Sequence, residues 1–186
     1  MMDRIAHHAG IRPIDPRRRA QGRRLALKGI ALAALLLPAV HRPALRLVWN
    51  ASPSVPTGLY RIEPGARPRV GDLVALRPSP ALARFMAERQ YVEAGALLMK
   101  PVAATAGARV CREGNDVTID GRRVATALAR DRRGRALPRW QGCHALGADQ
   151  LFLIAPAMPD SFDSRYFGPV DRSGVVGRAL PVWTRP

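Results

Sequence analysis

The sequence predicts a mostly β domain of hairpins with one short inserted helix, placed behind an N-terminal membrane-anchor helix. Three observations carry that prediction. A basic, proline-broken start gives way to one apolar run at residues 25–40, LALKGIALAALLLPAV. Past residue 50, turn residues recur at short intervals, with short β-branched and aliphatic runs between them. A single stretch, residues 80–89, repeats its apolar residues at helical spacing.

Residues 1–24 are polar, Arg-rich and broken by Pro13 and Pro16. Such a composition buries too little apolar surface to fold, so a disordered basic tail is expected there, on the cytoplasmic side. The apolar run that follows is shorter than the roughly 20 residues that cross a bilayer comfortably. Lys28 can snorkel to the inner interface, and Leu45, Leu47, Val48 and Trp49 can lengthen the span. Its short apolar core and Pro38 also fit a cleavable signal peptide. However, His41-Arg42-Pro43 stands where a small-x-small cleavage site would follow Val40. The reading is therefore an uncleaved signal anchor over 25–48, single-pass in the inner (cytoplasmic) membrane. Residues 49–186 are then exported to the periplasmic side, with the lipid bilayer as a partner.

In the exported part the expected strands include Leu59-Tyr60-Arg61-Ile62, Leu73-Val74-Ala75-Leu76 and Ala108-Arg109-Val110-Cys111. Asp116-Val117-Thr118-Ile119, Leu151-Phe152-Leu153-Ile154 and Gly174-Val175-Val176-Gly177 follow. Asp120-Gly121 between two such runs is a tight-turn signal, so residues 117–124 form the clearest hairpin. Ser79 as N-cap and Pro80 in the first turn open the inserted helix, which should end before Gly95.

The net charge of +16 would ordinarily point to nucleic acid. Its distribution argues otherwise. Arg17, Arg18, Arg19, Arg23, Arg24 and Lys28 crowd ahead of the apolar run, as a membrane-insertion signal does. From Trp49 onward 19 Arg and one Lys face 12 acidic residues, a net of +8, scattered except for Arg130, Arg132, Arg133, Arg135 and Arg139. No helix-turn-helix, zinc-finger or RNP-like pattern accompanies them, so no nucleic-acid partner is expected, and the cluster reads as a solvated loop. In an oxidising compartment Cys111 and Cys143 suggest one disulfide, two buried free thiols being the alternative. No metal site is expected, because His7, His8 and His41 precede the domain and His144 stands alone beside Cys143. No cofactor motif is present in the sequence.

Of thirty basic residues only Lys28 and Lys100 are lysines. Arginine keeps its proton in a protein, whereas a desolvated lysine can lose it and act as a base. Lys100 sits in the apolar setting Ala96-Leu97-Leu98-Met99-Lys100-Pro101-Val102. Upstream, Asn50-Ala51-Ser52-Pro53-Ser54-Val55-Pro56 places two serines two residues apart in a proline-stiffened, extended stretch. There Ser52 and Ser54 face the same side, so one hydroxyl can attack while the other donates to an oxyanion. Taken alone, the segment reads as little more than an ordinary Ser/Pro-rich linker leaving a membrane.

Four ordered segments change that balance. They are Ser54-Val55-Pro56-Thr57-Gly58-Leu59-Tyr60, Gly71-Asp72-Leu73-Val74-Ala75-Leu76, Met99-Lys100-Pro101-Val102-Ala103-Ala104 and Asp160-Ser161-Phe162-Asp163-Ser164-Arg165-Tyr166-Phe167-Gly168. In kind and order they resemble the boxes of the signal peptidase I family, and more closely its conjugative-transfer, TraF-type branch. The single residue between Ser54 and Pro56 is the TraF-like form. So is the run from Lys100 to Gly107, which lacks the Arg-Val and Pro-Gly-Asp of ordinary signal peptidases. Ala157-Met158-Pro159-Asp160 replaces the glycine-aspartate pair that usually opens the last box.

The resemblance implies a signal-peptidase-like β-barrel catalytic domain with Ser54 as nucleophile and Lys100 as general base. It implies oxyanion donors in the Ser54 amide and Ser52 hydroxyl, and support from Asp163, Ser164 and Arg165. The substrate it implies is a membrane-inserted pilin precursor of a conjugative transfer apparatus, with release to water or cyclisation left open. A general signal peptidase, or a non-catalytic tethered module of a secretion complex, are the alternatives.

Overall fold

The computed structural model describes residues 27–30 and 47–185. Residues 27–30 are helical. The expected tail at 1–24 and most of the expected anchor lie outside the described residues. Among the described residues no helix is long and apolar enough to cross a membrane.

From Leu47 the chain is dominated by strands. A seven-stranded sheet has the order β1-β2-β11-β3-β4-β9-β10. Its members are β1 (Leu47–Asn50), β2 (Thr57–Glu63), β3 (Leu73–Leu76), β4 (Leu98–Ala104), β9 (Gln150–Leu153), β10 (Val170–Asp171) and β11 (Val175–Arg185). Every neighbouring pair is antiparallel. The ladder leaves β1 and β10 as edges, so the sheet is open rather than a closed barrel. A smaller sheet has the order β7-β6-β5-β8, built from β5 (Arg109–Glu113), β6 (Asp116–Ile119), β7 (Arg122–Thr126) and β8 (Gly142–Ala145). Helix α1 (Pro80–Glu88) is inserted between β3 and β4, and α2 (Ser164–Phe167) between β9 and β10.

The predicted helix matches α1. Ser79 caps it, its Oγ accepting from the Leu82 amide at 3.3 Å, with Pro80 at the first position. The predicted hairpin matches β6–β7, with Ile119 opposite Arg122 and positive φ at both Asp120 and Gly121. Such φ values define the turn that follows strand twist, and glycine adopts them without a Cβ clash. One boundary is corrected. Leu47 and Val48, assigned above to the end of the anchor, are strand residues opposite Arg61 and Tyr60. Their apolar character serves a sheet edge in which Val48 is half-buried and Leu47 and Trp49 are exposed.

Strand alternation decides what each face buries. On β3, Val74 and Leu76 enter one core with Met86, Leu98, Val102, Leu151 and Leu153, while Ala75 enters another with Val55, Tyr60, Ile62 and Met99. Both faces are covered, so β4 reads as a nearly continuous apolar run, and Lys100 falls on the same face as Leu98 and Val102. Cys111 and Cys143 are directly opposite across β5 and β8 and form a disulfide, S–S 2.09 Å.

Gly58 shows how closely β2 and β11 approach. A Cβ there would lie 2.1 Å from the Trp183 carbonyl oxygen, and its φ is +143°. Gly58→Ala is expected to destabilise the domain by about 3 kcal/mol, from backbone strain plus the clash. Chemical denaturation compared with the parent chain checks this.

Candidate active site

The loop between β1 and β2 is folded by one amide. Asn50, only 6% exposed, donates from Nδ2 to the carbonyls of Ser52, Val55 and Pro56 at 2.8, 3.2 and 3.1 Å. Its Oδ1 accepts from the Ser52 amide at 3.1 Å, and the Tyr60 hydroxyl donates to the Pro56 carbonyl at 2.7 Å. The stretch is thus a turn at 53–54 rather than the extended segment expected from its prolines. The two serines still meet, with Oγ atoms hydrogen-bonded at 2.7 Å, and the Ser54 amide points at Ser52 Oγ at 3.5 Å. Asn50 is not among the residues that the sequence singles out. Its signal was a short amide side chain directly ahead of a turn, where asparagine commonly bonds nearby backbone.

Lys100 reaches the site from the centre of β4, opposite Val74 on β3. It is 4% exposed, and its Nζ donates to Ser161 Oγ at 2.8 Å. Burial lowers its pKa to about 8. Asp163 pulls it upward and Arg165 downward, both less than burial does. Ser161 was not singled out from the sequence, although it lies two residues before Asp163 in the same box.

Asp163, Ser164 and Arg165 are almost wholly buried. Arg165 Nε donates to Asp163 Oδ1 at 2.8 Å and Nη2 to Oδ2 at 2.9 Å. The Ala155 amide donates to Asp163 Oδ2 at 2.9 Å, and the Leu153 amide to Ser164 Oγ at 2.9 Å. Arg165 also donates to the carbonyls of Pro159 and Ala155 at 2.6 and 3.0 Å. This cluster fastens α2 and the 155–161 turns to the end of β9. It hydrogen-bonds neither serine of the loop nor Lys100, and it acts on the lysine through charge, Asp163 raising its pKa and Arg165 lowering it. From the second sheet Arg112, fully buried, donates Nη1 to the Arg165 carbonyl at 2.7 Å.

Ser52, Ser54, Lys100 and Ser161 line one cavity of about 280 Å³. Among the described residues no hydrogen bond joins Ser54 to Lys100. Ser54 is engaged by Ser52, and Lys100 by Ser161. Catalytic hydrogen bonds are commonly long or misaligned without substrate and tighten in the complex. The cavity also has a wall formed by the segment expected to be a solvated loop: Asp131, Arg132, Arg133 and Arg135 line it. Among the described residues no group of three or more His, Cys, Asp or Glu is arranged to hold a metal ion.

A buried lysine carries a stability consequence. Its folded pKa of about 8 lies below its ordinary value of 10.5, so the unfolded chain binds more protons between those values. Below pH 8 the full penalty for burying the ammonium is present, and it disappears as pH rises toward 10.5. Lys100→Met is therefore expected to be more stable than the parent by about 3 kcal/mol at pH 7, the gain vanishing only above pH 10.5. Denaturant midpoints measured across pH check this.

Comparison with known proteins bears on what such a site does. The profile described as "Signal peptidase, peptidase S26" matches residues 22–184. The chain belongs to that family. Among its relatives is the probable conjugal transfer protein TraF of Sinorhizobium fredii, 39% identical over 183 residues, 90% of this chain and 93% of the relative. The conjugal transfer protein TraF of Agrobacterium fabrum is 40% identical over 146 residues, 73% of this chain and 81% of the relative. A plasmid transfer protein TraF of Escherichia coli is 34% identical over 164 residues, 82% and 90% of the two chains. A crystal structure of a signal peptidase I from Enterococcus faecalis aligns with a TM-score of 0.36 and 18% identity, covering 61% of this chain and 97% of that one. This S26 chain is thus a member of a serine peptidase family with conjugal-transfer relatives.

Proposed function

We propose that this S26 chain is a membrane-anchored serine endopeptidase that cuts the signal peptide from a conjugative pilin precursor, with Ser54 as nucleophile and Lys100 as general base. One observation carries the assignment. The sole lysine of residues 47–185 has its amine buried, its pKa lowered to about 8, and lines the same cavity as Ser54.

The chemistry follows from the charges involved. Neutral Lys100 Nζ takes the Ser54 hydroxyl proton as Oγ bonds to the scissile carbonyl carbon. The carbonyl oxygen becomes an oxyanion, and the Ser54 amide and the Ser52 hydroxyl are its donors; losing one such donor costs about a hundred- to a thousand-fold in rate. Ser52 must turn from Ser54 Oγ to the oxyanion for this. When the C–N bond breaks, the Lys100 ammonium returns its proton to the leaving amine, and an ester on Ser54 remains. Water, or an amine of the same pilin chain, then attacks that ester with Lys100 again as base. Ser161 holds the amine in place between steps, and Arg165, paired with Asp163, fixes the turn ahead of Ser161 by donating to the Pro159 carbonyl. The conjugal-transfer names of the relatives support a substrate within a transfer apparatus. The basic start and apolar run support an anchor in the inner membrane with the site on the periplasmic side.

Membranes carrying the intact chain should shorten the pilin precursor encoded alongside it, and Ser54→Ala should leave it whole. Product mass distinguishes a hydrolysed from a cyclised pilin. Equal processing by both chains would remove the enzymatic reading in favour of a tethered assembly module.

A further inference from the structure

The cavity that holds Ser54 and Lys100 has a second, cationic wall that the chemistry above leaves unused. Asp131 organises it. Its Oδ2 accepts from the Tyr91 hydroxyl at 2.7 Å and from Arg135 Nε at 2.7 Å, and its Oδ1 accepts from the amides of Arg133 and Arg135, both at 2.9 Å. Burial opposes its ionisation, but these donors together outweigh burial and hold the carboxyl well below the usual range. Asp131 is therefore committed to the loop as a structural anion. The segment is also tied to α2, for the Leu128 amide donates to the Tyr166 hydroxyl at 3.1 Å and Trp140 Nε1 to the Ser164 carbonyl at 3.0 Å.

Two guanidiniums on this wall are held only by neutral acceptors. Arg133 Nη1 donates to Gln90 Oε1 at 2.7 Å, and Arg89 Nη1 donates to the Ala136 carbonyl at 2.7 Å while lying 4.5 Å over the Phe85 ring. Neither has a carboxylate partner among the described residues, whereas Arg132 pairs with Asp160 and Arg135 with Asp131. Four guanidiniums thus face two carboxylates around one concavity, which leaves two positive charges uncompensated beside the serine and lysine. Such an arrangement attracts an anion and, in a cleft, concentrates its field.

We propose that Arg89 and Arg133 form a subsite for a carboxylate of the substrate polypeptide, either an acidic side chain or a free C-terminus. This rests on the peptidase reading of the same cavity and adds the chemical class of the group it selects. A substrate is favoured over an anionic lipid surface because the two arginines line the concavity shared with Ser54, which a flat headgroup layer does not enter.

The test uses the full-length Ser54→Ala chain in detergent and Ala/Ser decapeptides carrying an uncharged fluorophore. One peptide has an internal glutamate and an amidated C-terminus. Its glutamine twin is made amidated and also with a free C-terminus. Either the glutamate or the free-acid peptide is expected to bind roughly fivefold tighter than the amidated glutamine twin. Which of them does so identifies the source of the carboxylate. The preference should fade between about 50 and about 500 mM salt, and it should collapse toward unity in Arg133→Gln and Arg89→Gln. Arg133→Glu should instead favour a lysine twin, a result a misfolded variant would not give.

The proposal is overturned if the peptides bind alike or not at all, or if the preference survives both substitutions. It is also overturned if Arg133→Gln leaves peptide preference intact and only weakens flotation with phosphatidylglycerol vesicles. Precursor cleavage by the parent chain keeps the two readings apart. Cleavage without carboxylate preference leaves the peptidase and removes the subsite, whereas carboxylate-selective binding without cleavage does the reverse.

Discussion

Replacing Lys100 by arginine is expected to stop precursor processing, with a loss of about a thousandfold or more in rate. The substitution keeps the positive charge and most of the side-chain length, so a purely structural or electrostatic role would tolerate it far better. What it removes is the capacity to lose a proton, since a guanidinium stays charged throughout the accessible pH range. The parent chain should show the complementary signature. Burial lowers the Lys100 pKa to about 8, so the neutral, reactive amine accumulates as pH rises, and kcat/KM should climb through a midpoint near that value. In Lys100→Arg that limb should vanish along with the activity. Initial rates of precursor cleavage from pH 6 to 10 test both statements; a flat profile in the parent would remove lysine as the base.

The second large effect concerns stability. Asp163 and Arg165 are 0% and 2% exposed and pair through two hydrogen bonds. Removing one partner strands a buried charge, which costs about 3–5 kcal/mol. Domains of this size have only about 5–15 kcal/mol in hand, so Asp163→Ala or Arg165→Ala should unfold at much milder conditions than the parent. The Ala155 and Leu153 amides, which donate to Asp163 and Ser164, tie the effect to the end of β9. Asp163→Leu combined with Arg165→Met should destabilise by much less than the sum of the single replacements, because neither charge is then left alone. A double-mutant cycle in chemical denaturation checks this; full additivity would mean the pair is not coupled.

Much of this architecture was legible because local chemistry and tertiary role coincide. Ser79 and Pro80 open α1 as their types dictate, and Asp120-Gly121 makes the β6–β7 turn. Where the two part, the sequence misleads. β8 reads Gly142-Cys143-His144-Ala145, is exposed along its whole length and has no apolar alternation to betray a strand. Its place is fixed by pairing with β5 and by Cys143 opposite Cys111. Leu47, Val48 and Trp49 look like membrane residues because an edge strand with apolar side chains carries the same composition.

The site divides in the same way. Ser52, Ser54 and Lys100 can be named from residue type and order, but the contacts that position them cannot. Lys100 meets Ser161 across 61 positions of chain. The Ser52–Ser54 contact comes from the Asn50 amide folding the loop, not from proline stiffness. The Arg130–Arg139 stretch, apparently surplus charge, is bent by Asp131 into a cavity wall.

Peptide bond cleavage is expected to pass through an ester on Ser54. Rapid acid quenching of the intact protein mixed with its precursor, followed by proteolysis and mass spectrometry, tests it directly. The predicted result is a Ser54-containing fragment that carries the mass of the acyl product and is missing from both Ser54→Ala and Lys100→Arg. An acyl group on a different residue, or precursor cleavage that persists in Ser54→Ala, would contradict it.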